Sequence, residues 1–148
     1  YAYLRQVYED FTARYPDIGT LAQESGLDDA ARAAFLERFG PSPAKTLLGF
    51  GVMGGIFGEG VDLVGDRLIG CAIVGVGLPQ VNSRQEILQA AGRVIRTQED
   101  RGVVLLLDDR FARAEYTRLF PRHWHQLQYL RSTTELEQQL AAFWALNQ

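Results

Sequence analysis

The sequence predicts an α/β fold built on a parallel sheet, and two observations carry that expectation. Residues 71–77 (CAIVGVG) and 102–107 (GVVLLL) are apolar without alternation, the pattern of strands covered on both faces. Between them, residues 83–96 form a helical stretch of the size that a crossover between parallel strands needs.

The remaining elements are predicted from periodicity and punctuation. Tyr3, Val7, Tyr8 and Phe11 recur at helical spacing, which predicts an opening helix stopping near Pro16. A second helix over 28–39 carries Phe35, Leu36 and Phe39 on one side and is broken by Gly40-Pro41-Ser42-Pro43. Residues 46–53 read as a strand and 54–60 as a glycine-rich loop. A short helix is expected over 111–119, with Asp108 and Asp109 before it suited to capping more than to catalysis. Ser132 and Glu135 form a capping box that opens a last helix, with Leu136, Leu140, Phe143 and Trp144 on one face. No strand is evident before the first helix, so the chain reads as one beginning just after a strand. Repeats, low-complexity tracts and an evident boundary are all lacking, and residues 1–148 read as a single domain.

Composition narrows the function. The formal net charge of −3 argues against a domain that grips nucleic acid alone, because phosphate neutralisation dominates such affinity. It leaves open a domain that lines part of a binding channel. One cysteine, Cys71, excludes an internal disulfide and a cysteine-built metal cluster, and its apolar strand suggests a core thiol. The apolar stretch 69–78 is broken by glycines and too short to span a bilayer. With no secretory signal evident, the expected location is the cytoplasm. His123-Trp124-His125 lacks the further donors that a metal site needs.

The most informative stretch is Gln89-Ala90-Ala91-Gly92-Arg93-Val94-Ile95-Arg96. On a helix, at about 100° per residue, Gln89, Arg93 and Arg96 fall within roughly 60° of arc. Ile87, Ala91, Val94 and Ile95 would take the opposite, sheet-packed side. Guanidinium forks match phosphate oxygens because they are planar, permanently charged and bidentate. An ordinary amphipathic helix with two surface arginines gives the same spacing. Gly92 favours the functional reading, since a helix-interior glycine costs about 1 kcal/mol relative to alanine and suggests a close approach there.

Upstream, residues 54–62 (GGIFGEGVD) come after a predicted strand, where α/β sheets place their sites. Glycines admit a phosphate or sugar to the backbone, and Glu59 and Asp62 offer acceptors; a solvated turn with two acids fits equally well. Phe57 suits base stacking in a single-strand channel or packing beneath the loop. Gly49, Gly51 and Gly54 spell G-x-G-x-x-G, the fingerprint of a Rossmann-type dinucleotide site. Here they lie in a predicted strand, and Asp66 is too close to be the ribose-binding acid. No G-x-x-x-x-G-K-[ST] occurs, so the chain has no phosphate-cradling P-loop.

Taken together, Gly55-x-Phe57-x-Glu59-Gly60-Val61-Asp62-x-x-Gly65-Asp66 and Gln89-Ala90-x-Gly92-Arg93-x-Ile95-Arg96 resemble motifs V and VI of superfamily 2 helicases, most closely the DinG/XPD-type branch. Residues 100–111 resemble the segment on the carboxyl side of motif VI in that branch, and Tyr1-Ala2-Tyr3-Leu4 resembles the tail of the motif IV region. The resemblance runs from Tyr1 to about Trp124; the stretch 79–89 is much shorter than relatives have. It implies the C-terminal RecA-like domain of an ATP-dependent DNA helicase, a three-layer α/β sandwich with a mostly parallel sheet. It further implies that ATP and Mg²⁺ are held mainly by the N-terminal RecA-like domain of the same protein, leaving the isolated chain inactive. By the same resemblance Arg93 and Arg96 reach the γ-phosphate with Gln89 beside them. Glu59, Gly60 and Asp62 then couple nucleotide to single-stranded DNA, and Gly55 and Phe57 face the DNA. Translocation is implied to run 5′ to 3′. The iron–sulfur cluster of some relatives belongs to the other motor domain, and no membrane is involved. Two rivals are a Rossmann-type cofactor domain using Gly49 to Gly54 and a non-catalytic RecA-like interaction module.

Overall fold

The computed structural model describes residues 1–41, 44–52, 63–75, 92, 94, 100–118, 120, 124 and 127–146. They form two compact units, Tyr1–Leu107 and Asp108–Gln148.

In the first unit, helix α1 (Ala2–Arg14) is followed by strand β1 (Gly19–Ala22), helix α2 (Asp29–Glu37) and strand β2 (Leu47–Phe50). Pro16 ends α1 as expected, because the residue before a proline is driven out of the helical region; Tyr15 sits at φ −129°, ψ 64°. The half-buried face of α1 is Leu4, Val7, Tyr8 and Phe11, while Tyr3 is exposed. Tyr8 and Phe11 meet the ring of Phe50 at centroid distances of 5.5 and 5.7 Å. Helix α2 is capped by Asp28, whose carboxylate accepts from the Ala31 N–H at 2.7 Å. It ends two residues earlier than its apolar pattern predicts.

Strand β1 is absent from the sequence-based expectation. Four residues are too few to display a period, and what makes them a strand is parallel pairing with β2, from Gly19 opposite Leu47 to Ala22 opposite Phe50. Gly49 of the dinucleotide-like pattern serves packing: a Cβ there would lie 2.7 Å from the Phe39 ring and 3.4 Å from that of Phe35.

The second pair is β3 (Gly70–Val74) and β4 (Val103–Leu107), also parallel, with Gly70 opposite Val103 and Val74 opposite Leu107. The mixed α/β class and the parallel pairing are as predicted. Strand β3 stops at Val74, short of the expected Gly77, because Gly75 turns into the left-handed region at φ 80°, where glycine is favoured. Burial also departs from expectation. Ile73 is buried, but Gly70, Ala72 and Val74 are exposed, so β3 has one covered face despite its continuous apolar run. Of the helix expected over 83–96 only Gly92 and Val94 are described, and both lie in turn backbone. The rest of that stretch lies outside the described residues.

In the second unit, the helix expected over 111–119 is a 3₁₀ turn (Asp109–Ala112) followed by a short helix α3 (Ala114–Thr117). Phe111 is buried, and its ring lies 6.3 Å from Tyr116 and 6.5 Å from Phe120. The last helix, α4 (Thr133–Leu146), opens on the predicted capping pair. Ser132 Oγ accepts from the Glu135 N–H at 3.1 Å, while the Glu135 carboxylate accepts from the Arg131 N–H at 2.7 Å. Leu136, Leu140, Phe143 and Trp144 are its half-buried residues, the face the spacing predicts.

Candidate functional site

Parallel pairing sets the carboxyl ends of β1 and β2 side by side, and likewise those of β3 and β4. In α/β sheets those ends carry the ligand-binding segments. The candidate residues Gly55, Phe57, Glu59, Gly60 and Asp62, and likewise Gln89, Arg93 and Arg96, lie outside the described residues. So do His123 and His125. What is defined is how the chain is anchored on either side of the two segments that contain the candidates.

Residues 53–62 lie between Val52 and Leu63. On the entry side, the Gln23 N–H donates to the Phe50 carbonyl at 2.8 Å, one residue beyond the last strand pair. The Gln23 side chain then takes over from the backbone: Oε1 accepts from the Val52 N–H at 2.7 Å, and Nε2 donates to the Tyr1 hydroxyl at 3.0 Å. Gln23 is 4% exposed and is the buried polar side chain among the described residues. A buried amide is tolerable because both of its ends are bonded. On the exit side Leu63 is buried. Gly65 adopts φ 67° at the head of the turn Gly65–Arg67, and Arg67 Nε donates to the Phe39 carbonyl at 2.7 Å, tying the turn to the end of α2.

Residues 76–99 run between Gly75 and Asp100. Gly75 N–H donates to the Leu107 carbonyl at 3.2 Å, closing the end of the β3–β4 pair. Val94 is the deepest of the described side chains, 2% exposed. It packs on Gly102, where a Cβ would collide with Val94 Cγ1 and lie 3.1 Å from the Ile69 carbonyl oxygen. The apolar patterning of this stretch predicts that Val94 faces inward, and it does. Gly92 is exposed.

Two further groups have structural explanations. Arg110 engages both oxygens of Asp108, with Nε 2.8 Å from Oδ1 and an Nη 2.7 Å from Oδ2, and the Arg110 N–H donates to Oδ1 at 2.9 Å. These bonds hold the Asp108 carboxyl well below the usual carboxylate range. Asp108 therefore caps the turn at 109–112, the role its position suggested. Cys71 is partly buried on β3 rather than deep in the core, and burial pushes its thiol pKa up, which disfavours the reactive thiolate. Among the described residues no three His, Cys, Asp or Glu side chains gather as a metal site, and no helix is long and apolar enough to cross a membrane.

Gln23 and Tyr1 are not singled out by the sequence. The available signal was a glutamine following Thr20-Leu21-Ala22, but without β1 it had no strand end to belong to.

These features define a class: an α/β domain with parallel strands whose carboxyl ends lead into the two candidate segments. The model of the helicase C-terminal domain family matches residues 1–88 and 84–127, and the chain belongs to that family. It is thus a helicase motor domain, which sets aside the Rossmann-type alternative. The two matched parts overlap at residues 84–88. No curated protein matches the chain.

Proposed function

We propose that this is the second motor domain of an ATP-dependent DNA helicase of the DinG/XPD type. The observation that carries the helicase part of this reading is the family match, whose two parts cover residues 55–66 and 89–96; the DinG/XPD type rests on the resemblance of those two segments. In this reading ATP and Mg²⁺ are bound mainly by the N-terminal RecA-like domain of the same protein. Arg93 and Arg96 approach the γ-phosphate from this domain, with Gln89 beside them, and their guanidinium forks stabilise charge on the migrating phosphoryl group. Glu59, Gly60 and Asp62 relay nucleotide state to single-stranded DNA, which Gly55 and Phe57 contact. Movement is 5′ to 3′, in the cytoplasm, with no membrane partner.

Anchoring of Val94 supports the assignment of the arginines. Val94, which adjoins Arg93 in sequence and precedes Arg96 by two residues, is buried. In the full-length protein, Arg96→Ala should lower ATP turnover by about 10³-fold or more while nucleotide affinity changes little. Arg93→Ala should act in the same direction. Near-normal turnover in both variants would remove the catalytic role and favour a non-catalytic interaction module.

A further inference from the structure

We infer that Gln23 is a positioning residue: its side chain extends the β1–β2 ladder beyond its end and thereby sets where the chain leaves β2 for residues 53–62. Backbone pairing ends at Ala22 opposite Phe50, followed by one further bond from the Gln23 N–H to the Phe50 carbonyl. At Val52 the next rung is made by a side chain, Gln23 Oε1, at 2.7 Å. Nothing in strand geometry requires this, since an exposed Val52 N–H could be satisfied by water. Instead a glutamine is 4% exposed and is oriented from its other end by the Tyr1 hydroxyl at 3.0 Å. The result is a three-point lock joining the start of α1, the end of β1 and the exit of β2.

Its functional weight rests on the reading above, in which the segment entered through Val52 relays nucleotide state to DNA. Gln23 touches neither ligand in that scheme; it acts through the backbone at Val52. Methionine at position 23 is close in shape but offers neither acceptor nor N–H donor, leaving the part-buried Val52 N–H without its protein partner. Glutamate keeps the acceptor and can receive a proton-donating bond from the Tyr1 hydroxyl. Tyr1→Phe removes only the outer partner and lies at an exposed residue, so it tests the lock without a buried change.

The decisive measurement is the ratio of ATP turnover with a single-stranded oligonucleotide to turnover without it, in the full-length protein. This ratio does not depend on the fraction of molecules folded, so a merely structural role would leave it unmoved. Gln23→Met should lower it about tenfold, the scale of one part-buried unpaired donor, with Tyr1→Phe lowering it less and Gln23→Glu retaining most of it. An unchanged ratio in Gln23→Met overturns the proposal; should that variant fail to fold, an unchanged ratio in Tyr1→Phe does so. The Arg96→Ala protein in the same assay separates the two claims. If it turns over normally, the motor reading falls; if it is inactive while Gln23→Met keeps its ratio, only the role of Gln23 falls.

Discussion

Asp108 and Gln23 illustrate how two polar side chains at strand ends come to different uses. Asp108 comes directly after β4 and spends both oxygens on Arg110 and the turn it caps. Its folded-state pKa is depressed, so the stability it contributes is present above the ordinary carboxylate pKa of about 3.9. That contribution is lost as pH falls from there toward the lowered folded value. A carbon-detected titration of the folded chain should therefore place the Asp108 midpoint well below the ordinary carboxylate value. A midpoint near the ordinary value would mean that the pair does not persist in solution. Gln23 is neutral, and its bonds do not titrate in this range, so its contribution is constant where that of Asp108 varies. For Arg93 and Arg96 the proposed contribution is different again, namely charge delivered to a transition state, which turnover would report.

At the scale of elements, glycines that look alike in sequence do unlike things. Gly75 ends a strand through its left-handed backbone. Gly49 makes room for Phe39 and Phe35 against β2, and Gly102 makes room for Val94 against the start of β4. Gly102→Ala is the sharper test, because the added methyl meets a buried valine on one side and a backbone carbonyl on the other. Overpacking of that kind costs about 1–3 kcal/mol, readable as a lower urea midpoint with an unchanged slope. A wild-type midpoint would show that Val94 does not pack there. The capping pair at α4 was legible beforehand because a cap is local: its donor and acceptor lie three residues apart. Strand β1 was not legible, since four residues without a period become a strand only through a partner 28 residues away.

The whole chain carries a net charge of −3 and no phosphate-cradling loop of its own, which suits one half of a shared nucleotide site better than a self-sufficient enzyme. The chain alone should accordingly show no measurable ATP turnover and no saturable binding of NAD(H), by coupled assay and by calorimetry. Robust turnover by the isolated chain would contradict the shared-site architecture. Its two compact units were not distinguished by composition, which changes little along the sequence.

Local chemistry by itself determined most of the helices, the apolar runs that became β3 and β4 and the inward placement of Val94. These depend on residues within a turn or two of one another, or on side-chain types that the chemistry requires in any context. Tertiary structure alone decided the β1–β2 pairing, the single covered face of β3 and the lock at Gln23. Each of those depends on a hydrogen bond or a contact between residues far apart in the chain, where neither partner carries a signal until the other is beside it.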